Sequence, residues 1–461
     1  MGYLAAALNK NGEDASQILL KMLKSASPNR ATSYGVATHR DSESLREADF
    51  TSLTSSMLLA SKNIFPERYP PDPVQQENHS LIFKGLLLNS DDPDNLSAAN
   101  KLRNNPLKGI KSLLKDRVGA YSIAAITENS IIAATDHIGT IPIYYGENKE
   151  NFAIATNKKM LWSVDIKPYT LKPGVMIKIT EKEKITCRIK SIKDQRSIKT
   201  TSKIMHKIMN GITKDYAKKT PKATLAFSGG IDSLLMAYYL KSNNVELSLI
   251  WTGLESQNEQ YIAQEAADYL GLKLYVDRHT QKEIYQLLDT IILSVEEPDP
   301  VKIGVAYPFY WTAKITNELS YNTMYSGNGA DELFGGYMRY LNKYIQGKDP
   351  SEDIYNDVTN SYLNNFHRDT KTCLDQNIRL LLPYSHPKII EYGLSVPIQL
   401  KLPDSKDKPR KIILRELAKN LEIPDKLANR PKKAAQYSSG VNKVLIKIAK
   451  ENKISFKGFL F

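Results

Sequence analysis

The stretch from Ala223 to Lys241 constrains the fold more than any other. Ala223 to Phe227 is a short apolar run of strand character, Ser228-Gly229-Gly230 is a turn, and Ser233 to Lys241 has the apolar spacing of a helix. A strand passing through glycines into a helix is half of a βαβ unit and calls for parallel partner strands. The sequence supplies them. Val245 to Thr252 reads as a second buried strand, Glu259 to Leu270 as an amphipathic helix stopped by Gly271, and Leu272 to Val276 and Thr323 to Ser326 as further strands. This alternation predicts an α/β, doubly wound parallel sheet covered by helices on both faces. The tail from Tyr362 to Ile448 has mostly helical spacing and is expected to pack beside it.

Earlier in the chain the period is different. From Leu81 to about Ile179, short β-like runs alternate with turns: Tyr121 to Thr127, Ser130 to Thr135, Pro142 to Tyr145, Phe152 to Thr156 and Val175 to Ile179. Gly139, Pro142, Gly146, Pro173 and Gly174 punctuate them, so a β-rich α+β domain with a few helices is predicted. Lys190 to Lys203 is polar and strongly basic, as linkers are. The expected division is residues 1–185, a linker at 186–203 and a second domain at 204–461.

Composition narrows the function classes. With 41% apolar and 25% charged residues over 461 positions, the chain has enough core for two or three domains, which excludes wholesale disorder. No run approaches ~18 apolar residues, and Met1 to Asn9 lacks the pattern of a secretory signal, so a soluble cytoplasmic protein without a membrane partner is expected. Cys187 and Cys373 are too few for a disulfide framework or a four-thiolate zinc site. The net charge of +13 comes from scattered lysines, so the sequence gives no reason to expect a nucleic-acid partner.

The turn at Ser228 is suited to phosphate. Exposed amides and the positive end of the helix meet an anion there, while Gly229 and Gly230 let the backbone approach without a side chain intervening. Ser228 and Ser233 can donate hydroxyl hydrogen bonds, and Asp232 can hold a magnesium ion on the phosphates. The loop has no Gly-Lys-Ser/Thr ending, which disfavours a γ-phosphate-splitting NTPase. Tyr325-Ser326-Gly327-Asn328-Gly329-Ala330-Asp331-Glu332 is a second strand-to-glycine-loop junction. Open parallel sheets bind ligands at the carboxyl ends of their strands, so both loops are expected to face one crevice, with Asp331 sharing the metal with Asp232. A glycine turn capped by Ser and Asp, or solvated helix caps, is the bland alternative for each loop taken alone.

Ser-Gly-Gly-Ile-Asp-Ser at 228–233, with Ser-Gly-Asn-Gly-Ala-Asp-Glu-Leu-Phe-Gly-Gly-Tyr at 326–337, resembles the synthetase domain of the asparagine synthetase family. Glu259 to Gly271, Glu296-Glu297-Pro298-Asp299-Pro300, Arg368-Asp369, Lys411 to Leu417 and Arg430-Pro431-Lys432 agree in order. Asp136 to Gly146 and Leu171-Lys172-Pro173-Gly174 are similar to the family's glutamine amidotransferase domain. The resemblance implies an Ntn-hydrolase-like α+β sandwich, followed by an ATP-pyrophosphatase-type domain with a helical C-terminal part. It implies an AMP-forming amide ligase using ATP and Mg2+: a carboxylate, aspartate's in the namesake, attacks the α-phosphorus, pyrophosphate leaves, and ammonia displaces AMP. Ser228, Gly229, Gly230, Asp232, Ser233, Ser326 and Gly327 would hold ATP and pyrophosphate. Leu249 to Gly253, with Thr252, would line the adenine pocket, and Lys432, with Lys433 as fallback, would stabilise charge at the α-phosphate.

The sequence also departs from the family. Gly2 stands where the family's glutaminase has its nucleophilic cysteine, Arg-Gly-Pro-Asp appears as Asn29-Arg30-Ala31-Thr32, and Asn-Gly-Glu as Lys84-Gly85-Leu86. A first domain without glutaminase activity is expected, leaving free ammonia or another amine as nitrogen donor. The position after Gly2 expected to be Ser or Thr for myristoylation is Ala6. In the acceptor pocket Asn328 replaces the family's acid, Arg379 a glutamate and Leu381 an arginine, with Glu332 alongside. Asn328 cannot act as a general base near neutral pH. The acceptor is thus aspartate or, as in β-lactam synthetases, another acid; a non-catalytic ATP-binding regulatory homologue is the remaining alternative. A homodimer is compatible with either enzyme.

Overall fold

A computed structural model of the chain describes residues 2–27, 31–48, 50, 52–64, 72–192, 200–430 and 439–451. The chain splits into two compact units, Met1–Ser191 and Ile192–Phe461.

Among the described residues the first unit has strands β1 (Gly2–Asn9), β2 (Ser33–Ala37), β3 (Ser42–Leu45), β4 (Met57–Asn63), β5 (Val74–Gln75), β6 (His79–Leu87), β7 (Gly119–Thr127), β8 (Ser130–Thr135), β9 (Tyr144–Glu147), β10 (Asn151–Ala155), β11 (Tyr169–Thr170), β12 (Val175–Ile179) and β13 (Lys184–Arg188). They form two antiparallel sheets, ordered β11-β9-β10-β1-β4-β2-β3 and β13-β12-β8-β7-β6-β5. Leu4, Ala6 and Leu8 of β1 share one core with Ile82, Ala124, Ile126, Ile131 and Ala133 of the other sheet, so the sheets stack face to face. The far face of the second sheet packs under helices Asp94–Leu102 and Pro106–Asp116, while Ser16–Ala26 packs on β1 and β4. This is the expected α+β sandwich, with helices as its outer layers. Strands β1 to β5 precede the span in which the sequence pattern predicts strands. β1 reads GYLAAALN and all eight residues are buried, so it carries no polar–apolar alternation to betray it. β13 takes in Thr186–Arg188 of the stretch expected to be linker, through pairing that runs to Val175↔Arg188.

The second unit holds β14 (Lys222–Ala226), β15 (Glu246–Leu254), β16 (Leu274–His279), β17 (Thr323–Tyr325) and β18 (Arg379–Leu381), ordered β16-β15-β14-β17-β18 and all parallel. Strand order reverses between β14 and β17. At such a switch point successive connections leave in opposite directions and open a crevice at the carboxyl ends of the strands. β18 corrects the expectation of helix through this part of the tail: Arg379 N–H donates to Asn322 O at 3.0 Å and Arg379 pairs in register with Thr323. Three residues are too few for a period to be read. Helices Gln281–Val295, Pro300–Glu318 and Val441–Glu451 build an apolar core beside the sheet around Ile291, Tyr307, Trp311 and Leu445. No helix among the described residues is long and apolar enough to cross a membrane.

Candidate active site

The loop 228–230 leaves the carboxyl end of β14 and enters helix Ile231–Ser242. Gly229 has φ +71°, and a Cβ there would lie 2.9 Å from Ile262 O, so both backbone angle and packing demand glycine. Gly230 differs. Its φ is −76°, and a Cβ would meet nothing nearer than Ser228 Oγ at 3.4 Å. Among the described residues nothing requires glycine at 230. Ser228 Oγ accepts from Gly230 N–H at 3.3 Å and lies 3.3 Å from Ser233 Oγ, whose hydroxyl donates to Gly230 O at 3.1 Å.

The second loop leaves β17, turns at Gly329 (φ +96°) and opens helix Ala330–Phe334. A Cβ at Gly327 would lie 3.2 Å from Asp232 Cβ, so the two loops pack against each other. They share one cavity of about 450 Å³, lined by Ser228, Gly229, Gly230, Asp232, Ser233, Ser326, Gly327, Asn328 and Asp331. Ile250, Trp251, Thr252, Pro308, Phe309 and Thr312 give it an apolar wall. Arg410, Lys411, Arg415 and Arg430 bring positive charge to the same cavity.

Asp232 and Asp331 converge through Lys411. Its ammonium donates to Asp232 Oδ2 and lies 2.6 Å from Asp331 Oδ1, with the lysine side chain 1% exposed. Burial opposes its charge, but the two carboxylates outweigh burial and hold its pKa above the ordinary lysine value. Lys411 has φ +62° and caps the N-terminus of helix Ile412–Asn420. That end of a helix disfavours a cation, and the anions in front of it supply the compensation. Asp232 Oδ1 is buried without a hydrogen-bond partner among the described residues. Two carboxylates gathered on one cation, with an oxygen to spare, fit a magnesium ion, which takes one or two carboxylates alongside phosphate oxygens. Gly336 makes room for this cluster: a Cβ there would come within 1.9 Å of Asp331 Oδ1 and 2.7 Å of Lys411 Cε. The sequence reading gave Lys411 no role. A lysine opening a helix, against the macrodipole, was the available signal.

Other expected site residues are placed differently. Leu249 does not line the cavity: it is buried beside Leu225 and Leu274 in register, further from the carboxyl end of β15 than Ile250, Trp251 and Thr252, which do. Gly253 is also outside the cavity, its Cα covered by the Trp251 ring. Glu332 is buried, accepting from Tyr337 OH and from Asn365 Nδ2 at 2.7 Å, and Arg379 is buried on β18, so neither lines the cavity. Asn328 does line it. Its Nδ2 donates to Asp369 Oδ2 at 2.6 Å, and Arg368 Nε donates to Asp369 Oδ1 at 2.6 Å. Lys432 and Lys433 lie outside the described residues.

In the first unit Gly2 pairs with Asn63, and a Cβ at position 2 would lie 2.1 Å from Lys62 O. Position 2 thus lacks both a nucleophile and room for one. Lys84 is buried, donating to Asn63 Oδ1 at 2.6 Å and Asp72 Oδ2 at 2.8 Å, and Leu86, two positions on, is buried as well. Asn29 and Arg30 lie outside the described residues. Cys373 is buried, which pushes its thiol pKa well up and keeps it protonated; Cys187 is exposed on β13.

The family model for asparagine synthase matches residues 217–377 and 346–452, together more than half of the chain. The chain belongs to the asparagine synthase family. Curated relatives agree. A Methanocaldococcus jannaschii protein provisionally named asparagine synthetase [glutamine-hydrolyzing] 1 is 28% identical over 390 residues, covering 73% of this chain and 72% of that protein. The human asparagine synthetase [glutamine-hydrolyzing] is 27% identical over 255 residues, covering 54% of this chain and 45% of that protein. Among solved structures, a B. subtilis glutamine phosphoribosylpyrophosphate amidotransferase is similar at 16% identity and a TM-score of 0.36, covering 59% of this chain and 65% of that one; the likeness is too slight to bear on the site. The matched span of the asparagine synthase family contains both glycine loops and Lys411.

Proposed function

We propose that the chain is an ATP-dependent amide ligase of asparagine synthetase type, working in the cytoplasm with ammonia as nitrogen donor. The observation that carries this reading is the meeting of two glycine loops at the switch point, with Asp232 and Asp331 drawn to one cation. Ser228, Ser233 and the amides at Gly229 and Gly230 bind pyrophosphate, and the wall of Ile250 to Thr252 takes the base. Asp232 and Asp331 would hold a magnesium ion, whose charge would offset that of the phosphate oxygens. A carboxylate oxygen of the acceptor, aspartate in the first instance, attacks the α-phosphorus and pyrophosphate departs. Ammonia then attacks the acyl carbon and AMP leaves with the oxygen. Lys432 serves the α-phosphate. The work asked of the protein is positioning and charge neutralisation.

Glutaminase activity is absent in this reading, because position 2 has neither a nucleophile nor space for one, and Lys84 and Leu86 stand where the family grips glutamine. The test is a reaction of the purified protein with [α-32P]ATP, Mg2+, an acceptor, and ammonium or glutamine. AMP and pyrophosphate with ammonium alone is the expected outcome; ADP in their place, or glutamate accumulating with ATP turnover, would overturn the corresponding half of the reading. The same assay with a pool of acids separates a β-lactam-synthetase-like enzyme, since Asn328 tied to Asp369 departs from the usual acceptor pocket.

A further inference from the structure

Two carboxylates brought together repel one another unless a cation stands between them. Here the cation is part of the chain: the Lys411 ammonium contacts both Asp232 and Asp331, with its side chain 1% exposed. A magnesium ion taking a carboxylate oxygen from each aspartate would compete with the ammonium for the oxygens it contacts. The two cations therefore compete for one place. The backbone of Lys411 is fixed, its N–H donating to Lys401 O at 2.7 Å and its φ at +62°, so only the flexible side chain can yield. Lys411 lines the same cavity as the loop 228–230, so a polyphosphate seated on that loop would offer the ammonium a new anion within reach of its stem.

We propose that Lys411 is a built-in placeholder for the metal: it holds the two acidic loops together before a nucleotide binds and keeps them from binding a divalent cation until the nucleotide draws the ammonium away. The inference rests on the reading that Asp232 and Asp331 are the metal ligands. Lys411 is in this sense a positioning residue, and its consequence is an order of binding in which the metal is captured with the nucleotide and not before.

The experiment uses the metal alone. Mn2+ is titrated into the full chain without nucleotide, and free Mn2+ is followed by electron paramagnetic resonance. Lys411→Met is expected to bind one Mn2+ at least about tenfold more tightly than the wild type, since a competing buried ion pair has been removed, and Lys411→Met/Asp331→Asn is expected to lose that gain. A role confined to stability would not increase metal affinity. Wild type binding Mn2+ as tightly as Lys411→Met overturns the proposal. Should Lys411→Met not fold, wild type and Asp232→Asn are compared: equal, weak Mn2+ binding supports masking, and tighter binding by the wild type overturns it. Pyrophosphate release by the wild type, measured in parallel, separates the two layers. Release together with unchanged Mn2+ affinity in Lys411→Met overturns the placeholder alone. Absence of AMP and pyrophosphate with every acid tried overturns the proposed function, and the Mn2+ comparison still decides whether Lys411 masks the carboxylates.

Discussion

Gly336→Ala changes no charge and, because the residue has no left-handed φ, imposes no backbone penalty. Its effect is purely steric, and the structure sets its size. The added methyl would lie 1.9 Å from Asp331 Oδ1, 2.7 Å from Asp331 Cγ and 2.7 Å from Lys411 Cε. Ordinary contact lies well beyond 3 Å, so the carboxylate must retreat by more than an ångström. The backbone is poorly placed to absorb the shift, since Gly336 N–H is bonded to Asp331 O at 2.8 Å. The simplest escape is rotation of the Asp331 carboxylate, which breaks its 2.6 Å contact with Lys411. Overpacking of this kind costs about 1 to 3 kcal/mol. Asp331 is partly solvated, so the full ~3 to 5 kcal/mol of a broken buried pair is not expected in addition. Function should suffer more than stability, because a misplacement of about 1 Å at a catalytic centre can lower the rate on the order of 100-fold. Urea unfolding and the release of pyrophosphate from ATP, measured on the same preparation, test both parts. A variant with wild-type stability and turnover would refute the claim that Gly336 exists to make room for Asp331 and Lys411.

The two glycines of the first loop should behave differently. Gly229→Ala is expected to lose about 1 kcal/mol or more of stability along with activity, since it meets both a positive φ and a backbone carbonyl. Gly230→Ala should unfold like the wild type and fail only in nucleotide binding by calorimetry; normal ATP affinity in that variant would remove the case for a phosphate at its amide. In the first unit, burial raises Asp136 to about 6 and lowers His137 to about 4. Folding thus disfavours charged Asp136, whose contribution falls as pH rises from about 4 to 6, and disfavours charged His137, whose contribution is lost as pH falls from about 6.5 to 4. The slopes oppose and nearly cancel. Asp136→Asn leaves the histidine slope alone, so protection of β7 and β8 amides against hydrogen exchange should drop by about 3 kcal/mol between pH 6.5 and 4, while the wild type stays nearly flat. A variant as flat as the wild type would show that His137 does not titrate on unfolding.

Much of the second unit was legible in the chain. The run from Leu225 to Ser233 names its own strand, turn and helix, because glycine tolerance and apolar spacing are local properties. The same holds for the loop after Tyr325. What could not be read is which side chain faces which neighbour. Leu249 and Ile250 are equally apolar, yet Ile250, one residue nearer the carboxyl end of β15, lines the cavity and Leu249 does not, and that depends on how β15 aligns against β14 and β16. Glu332 looked as available as Asp331, but Tyr337 and Asn365 take it up. β1 was invisible because burial on both faces erases the alternation by which strands are recognised.

The sequence by itself determined the chemistry within reach: two glycine junctions with an acid apiece, and a glycine at position 2. These follow from residue type and short spacing, which local forces translate directly. The tertiary structure alone decided that Lys411, some eighty positions beyond Asp331 and 179 beyond Asp232, fills the gap between both carboxylates. Only the assembled domain brings such distant segments to one crevice, and the contact itself is electrostatic, set by separations of a few ångströms that no sequence interval encodes.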